Sequence, residues 1–249
     1  MISIAVFTTL SELVPAAKAL AEQLQLPFQS NADYLLLLTK DYLGLQKAGE
    51  KSLPLYIDFT STQLNFRRKN SNMRSELLIK ALGLKKNTNP TIVDATAGLA
   101  RDSFMIASFG FAIQLLERSP IIHALVNDGI QRGLHDPAIQ PILQRMDYVK
   151  TDAITWLTHL TTKPQIIYID PMFPERKKSA LSKLDMRIFH AVVGDDIDAD
   201  TLFNTALTCA TRRVVVKRPR LAEEMAGVRP SYSLSGSSSR FDVYLISEK

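Results

Sequence analysis

The sequence predicts an α/β protein: a doubly wound, mostly parallel sheet closed by a C-terminal antiparallel hairpin and preceded by a small N-terminal α+β annex. Three observations carry this. From Thr91 onward, short β-branched runs alternate with amphipathic helical stretches, the pattern of parallel strands joined by crossover helices. The stretch Thr91 to Asp102, TIVDATAGLARD, runs from a buried strand (Ile92, Val93) through small residues into a helix, as ligand sites at the carboxyl edge of such sheets do. Last, Ser231 to Ser235 and Arg240 to Ile246 flank Gly236-Ser237-Ser238 and read as a closing hairpin.

In chain order, Ile2 to Phe7 reads as a strand and Leu13 to Leu24 as an amphipathic helix with Pro15 in its first turn. Tyr34 to Leu38 and Leu53 to Phe59 read as strands, with turn chemistry over Gly44 to Ser52. The polar stretch Asn65 to Ser75 reads as a mobile or ligand-ordered loop. These residues, 1–75, form the expected annex, and 76–249 the main domain. Ser75 to Leu84 is expected helical, followed by the strand at Thr91 and a helix through Phe104, Met105, Ile106 and Phe109. Phe111 to Leu116, Met146 to Lys150, Gln165 to Ile169 and Arg213 to Val216 are the further strands. Ile121 to Gly133, Ile154 to Leu160 and Thr201 to Ala210 are the helices between them.

Composition narrows the function classes. The 249 residues are 46% hydrophobic with mean hydropathy near zero, and no apolar run approaches the ~20 residues of a membrane span. The first residues lack a basic leader and cleavage site, so a cytoplasmic protein is expected. A single cysteine, Cys209, excludes a disulfide framework, and four scattered histidines lack metal-ligand spacing, so no metal is expected. Thirty basic residues against 25 acidic give a net charge of +5. The cations cluster at Arg67-Arg68-Lys69 with Arg74, at Arg176-Lys177-Lys178, at Arg212-Arg213 and at Lys217-Arg218-Arg220, which favours a polyanionic partner.

Four features carry chemistry. Asp94 ends a strand before a turn of small residues containing Gly98. A nucleoside-bearing cofactor could lie against bare backbone there, although an ordinary core turn looks the same. One glycine where the dinucleotide fingerprint needs three excludes that motif. Glu117 ends the next strand, where a carboxylate grips a ribose diol or pairs with Arg118. Asp152 follows the third strand and would face an adenine amine or cap a helix. Asp170-Pro171-Met172-Phe173-Pro174 is the sharpest: two prolines fix the backbone around an aromatic directly after a buried strand. Such a loop suits holding a flat base, with Asp170 and the Pro171 carbonyl accepting from its amino group and Phe173 stacking on its face.

Taken together, DATAG, the strand-end glutamate and DPMFP resemble the class I S-adenosylmethionine-dependent methyltransferases, whose fold is a Rossmann-like seven-stranded sheet. DPMFP is similar to their [D/N]-P-P-[Y/F] signature of amino-group methylation, with Met172 replacing the second proline. DATAGLARD, LLERSP, DPMFP with Lys177-Lys178-Ser179-Ala180-Leu181, VVVKRP, the closing RFD-Y, and IDF and RRK in the annex more closely resemble the bacterial 16S rRNA guanine-N(2) methyltransferases of the RsmJ type. The resemblance implies methylation of the 2-amino group of a guanosine at position 1516 of small-subunit rRNA, with 16S rRNA or the 30S subunit as partner. It places S-adenosyl-L-methionine on Arg101-Asp102, Glu117-Arg118, Asp152-Ala153 and Asp170. RNA contacts are expected at Arg67, Arg68, Lys69, Arg74, Lys177, Lys178, Lys217 and Arg218. The family typically has a glycine-rich run after RRK, where this chain has Asn70-Ser71-Asn72-Met73-Arg74-Ser75. The rival readings are a methyltransferase of DNA amines or protein glutamine, and a non-catalytic ribosome-assembly module. Asp rather than Asn at 170 disfavours the glutamine substrate.

Overall fold

The computed structural model describes residues 2–172, 184–194 and 196–247. The leading segment forms β1 (Ile4–Phe7), α1 (Val14–Leu24), β2 (Tyr34–Leu38) and β3 (Leu43–Lys47). In this three-stranded sheet β1 and β2 are parallel and β2 and β3 antiparallel. Two expectations for this region change. Gly44 lies inside β3 and not in a turn, because a Cβ there would stand 2.8 Å from Cβ of Pro54; the glycine permits close packing. In the stretch Leu53 to Phe59, expected as a strand, Leu55, Ile57 and Phe59 are buried. The segment's backbone pairs with β3 in an isolated bridge, reciprocal 2.8 Å bonds between Leu45 and Leu55, and the Ile57 carbonyl is taken by the Arg132 guanidinium. It is irregular chain buried at every second residue from Leu55 to Phe59, not a strand.

Next come α2 (Thr62–Asn70) and α3 (Leu77–Ala81). The first takes up the leading half of the stretch Asn65 to Ser75 expected as a loop, while residues 71–75 are turn and irregular chain. Arg67, Arg68 and Lys69 in its last turn complement the negative end of the helix dipole, and Asn72 closes the turn after it by accepting from the Arg74 and Ser75 amides.

The main sheet then assembles from β4 (Ile92–Asp94), α4 (Arg101–Ser108), β5 (Ile113–Glu117), α5 (Pro120–Gly133), α6 (Gln140–Leu143), β6 (Met146–Lys150), α7 (Ala153–Thr158), β7 (Ile166–Ile169), α8 (Leu184–Val193), α9 (Ala199–Cys209), β8 (Arg213–Pro219), β9 (Tyr232–Ser235) and β10 (Ser239–Leu245). Its strand order is β6-β5-β4-β7-β8-β10-β9. The first five strands are parallel, and β10 runs antiparallel to both β8 and β9. This is the seven-stranded, mostly parallel arrangement with a C-terminal hairpin that the sequence predicts. The sequence gives no sign of α6 or α8.

Period-two alternation divides the strands between two apolar layers. Ile92, Tyr168 and Val215 face one layer with α4, α5 and the annex residues Val6, Leu36 and Phe59. Val93, Ile167, Ile169, Val214 and Val216 face the other, with α7 and α9. Each such side chain taken from water contributes about 1.5–3 kcal/mol. The hairpin is fixed by fully buried Asp242, which accepts from Ser233 Oγ at 2.6 Å and from Arg240 Nε at 2.9 Å.

Candidate active site

Strand order reverses between β4 and β7, so their carboxyl ends part and leave a crevice, the usual ligand position in such sheets. A cavity of about 620 Å³ opens there. Gly98 in its floor has φ +50°, a region costly for residues with a Cβ, and a Cβ there would point at Phe189 of α8, 3.4 Å from its Cζ. The turn therefore keeps a bare backbone beneath the cavity.

Three strand-end carboxylates converge on it. Asp94 is 1% exposed; its Oδ1 accepts from the Thr96 amide at 3.1 Å and its Oδ2 from the Ser103 hydroxyl. Glu117 ends β5, its Oε2 accepting from the Gly98 amide at 3.0 Å and its Oε1 from the Ser119 amide at 2.7 Å. Both keep lone pairs for a ligand. Asp170, just after β7, has its amide bonded to Thr96 Oγ1 at 2.6 Å, which fastens the β7 end to the β4 turn. Asp152 caps α7 by accepting from the Thr155 amide at 2.8 Å, and it and Ala153 line the same cavity. Arg118 also lines it and pairs with Asp198 and Asp196. Asp196 in turn accepts from the Met172 amide at 2.6 Å, so Arg118 ties the segment before α9 to the chain after Pro171.

An ion-pair chain underlies the opposite wall. Lys217, on β8, places Nζ 2.8 Å from Asp170 Oδ2 and 2.8 Å from Asp102 Oδ2. Asp102, in the first turn of α4, also accepts from Tyr168 Oη at 2.9 Å and from Arg67 Nη1 at 2.9 Å. Arg67 continues to Glu76 at 2.9 Å. Lys217 and Arg67 thus sit inside this network, whereas the sequence places them on an RNA-facing surface. Arg218 is buried and donates to the Glu223 carbonyl at 2.8 Å. Lys69 and Arg74 are exposed and Arg68 half-buried. Arg101 lines the cavity. Phe173, Lys177 and Lys178 lie outside the described residues. Sequence reasoning missed Asp196, Asp198 and Phe189, which have no local motif.

Burial drives both Asp94 and Glu117 up to about 7, against the hydrogen bonds each receives. Burial also acts on Asp102, but Lys217 and Arg67 outweigh it and hold that carboxyl down at about 2. The folded state therefore keeps protons on Asp94 and Glu117 that the unfolded chain releases near pH 4, and stability falls as pH rises from there to about 7. Asp102 acts oppositely, adding stability above its ordinary value that is lost as pH falls toward 2. The melting temperature of the ligand-free protein is expected to decline by several degrees between pH 5 and 7.5. Asp94→Asn should flatten that decline; a variant whose slope matches the parent would contradict this account of Asp94.

Comparison with known proteins agrees with this geometry. A family model described as "Putative SAM-dependent methyltransferase" matches residues 19–246. The chain is 46% identical over 231 residues to the ribosomal RNA small subunit methyltransferase J of Photorhabdus laumondii, covering 92% of this chain and 94% of that one. It is 44% identical to the protein of the same name from Dechloromonas aromatica, with the same coverage. A crystal structure of a SAM-dependent methyltransferase from Neisseria gonorrhoeae superposes with a TM-score of 0.76 at 35% identity, covering 97% of this chain and 96% of that one. Among the described residues no helix is long and apolar enough to cross a membrane, and no histidine, cysteine and carboxylate cluster could hold a metal. The chain belongs to the family of SAM-dependent methyltransferases that includes the ribosomal RNA small subunit methyltransferases J.

Proposed function

We propose that this enzyme methylates the 2-amino group of a guanosine in small-subunit ribosomal RNA. The observation that carries the proposal is the Asp170 carboxylate at the mouth of the crevice. It is 38% exposed and fixed from behind by Lys217. The names of the relatives supply the RNA class, and the cationic helix α2 beside the cavity is consistent with it.

The cavity fits the cofactor. Bare backbone at Gly98, the carboxylates of Glu117 and Asp152, and apolar Ile154 and Leu116 supply acceptors for ribose and adenine amine and a wall for a flat base. Arg101, Asp102, Arg118 and Ala153 complete the set on this reading. When bound, S-adenosyl-L-methionine supplies an electrophilic methyl group on a sulfonium.

The remaining work falls to the chain. A guanine 2-amino nitrogen is a poor nucleophile because its lone pair is delocalised into the ring. Asp170 accepts one of its hydrogens and the Pro171 carbonyl the other, which favours a pyramidal nitrogen with its lone pair aimed at the methyl carbon. Burial raises the Asp170 carboxyl, and Lys217 Nζ, 2.8 Å from Oδ2, opposes that rise and favours the ionised, accepting form. Positioning of the two reactants supplies most of the acceleration, and the target base must first leave its stack.

The test is transfer of labelled methyl from S-adenosylmethionine to 16S rRNA, 30S subunits, DNA and total protein in parallel, with nucleoside analysis of the product. Label in N2-methylguanosine of the RNA is the expected result. Label confined to DNA or to glutamine would move the enzyme to another substrate class. Cofactor binding without incorporation into any of them would favour an assembly module.

A further inference from the structure

A second concavity, of about 680 Å³, lies beside the catalytic one, between the segment 53–58 and α2. Arg67, Leu99 and Arg101 line both, so the two share a wall. The catalytic reading leaves this groove without a role.

Its surface is unusual. Of the lining residues, Phe66 on α2 is 69% exposed and Leu53 is 78% exposed. Tyr56 also lines the groove, its ring stacked on Tyr42 with centroids 4.3 Å apart. Isolated apolar residues on a surface need no explanation, but several around one concavity do. The helix that forms one wall is cationic: residues 62–70 carry Arg67, Arg68 and Lys69 and no acid, Lys69 lies three residues after Phe66 and so on the same side of the helix, and Arg74 follows. The acidic group in the lining, Asp58, has its Oδ1 engaged by the Thr60 amide and hydroxyl at 2.8 and 2.6 Å.

The geometry points to this groove as the seat of a nucleotide flanking the methylated guanosine in single-stranded RNA. Phe66 is its stacking face and Lys69 its phosphate contact. The inference rests on the RNA substrate proposed above. A base that enters the catalytic cavity leaves its stack, and its neighbour on the strand then lies unstacked at the shared wall of Arg67 and Arg101. An exposed aromatic there replaces the lost stacking, and cations close to it neutralise the backbone. With Asp58 engaged by Thr60 and Arg67 paired to Glu76 and Asp102, the exposed cations Lys69 and Arg74 favour a polyanion over a second copy of a chain that is itself net positive.

The test uses the full-length protein with a fluorescein-labelled single-stranded oligoribonucleotide spanning the mapped guanosine. Phe66→Ala is expected to raise the Kd and KM for RNA about tenfold, with S-adenosylmethionine affinity and kcat at saturating RNA unchanged. Phe66→Tyr, which restores a stacking face, should return RNA affinity to that of the parent. Lys69→Gln should lower the slope of log Kd against log salt by about one. Phe66 is exposed, so folding is not at stake, and an unchanged melting temperature verifies that. Parental RNA affinity in Phe66→Ala would overturn the inference. So would a loss of self-association in that variant with RNA affinity intact, since the groove would then join two copies. A parent protein that binds S-adenosylmethionine but labels no RNA would instead overturn the substrate reading itself, so the two failures are distinguishable.

Discussion

Asp170→Ala is expected to lower kcat by about 10²–10³-fold, the usual cost of deleting one fixed group that acts on a developing charge. The melting temperature should change little, and any loss of affinity for S-adenosylmethionine, one of whose expected contacts is Asp170, should be smaller than the loss of kcat. The separation of effects follows from the surroundings. The Asp170 side chain is 38% exposed, so truncation opens no sealed void in the core. Its backbone amide keeps the 2.6 Å bond to Thr96, and Lys217 keeps Asp102 as a partner. Asp170→Asn should fall between the two, because its amide oxygen still accepts a hydrogen while its NH2 meets Lys217 donor to donor. Single-turnover methyl transfer, cofactor titration and circular dichroism on the same preparations read the three quantities separately. Near-parental kcat in Asp170→Ala would remove this carboxylate from the chemistry.

The parts of this site that were legible in the sequence are those defined by strand ends. Asp94, Glu117 and Asp170 each follow a short β-branched or aliphatic run, and parallel connections bring such ends to one edge. Knowing the alternation of strands and helices was then enough to converge them. The strand Met146–Lys150 emerges with the boundaries read from its pattern. What stayed hidden depends on long-range partners. Arg67 and Asp102 are 35 residues apart, Lys217 and Asp102 115, and no local motif announces either pairing. Lys217 was obscured by its company, because Lys217-Arg218-Arg220 looks like a solvated cationic run. A signal was available: extending the strand past Val216 puts Lys217 on the same face as Val215, at the carboxyl end beside Asp170. In the annex, the burial of Leu55, Ile57 and Phe59 was readable from alternation, but their partner for packing was not.

Lys217→Met isolates what the cation between the two carboxylates does. At 29% exposure the group lies between a surface pair, worth at most about 1 kcal/mol, and a sealed one, whose rupture costs about 3–5 kcal/mol. A stability loss of about 2 kcal/mol is therefore expected. Asp102 keeps Arg67 and Tyr168 as partners and remains tolerably placed. For Asp170, burial raises the carboxyl and Lys217 is the first influence opposing it. Without the cation the carboxyl rises further, and a smaller fraction is ionised at neutral pH. On the proposed mechanism the ionised form is the stronger acceptor, so kcat at pH 7 should fall below that of the parent and recover as pH is raised. The acid limb of the kcat profile thus moves toward alkaline pH. Lys217→Arg retains the charge and should leave that limb in place even if altered geometry lowers its height. A purely structural lysine would lower stability in the methionine variant without moving the limb, and that outcome would reduce Lys217 to a scaffold role.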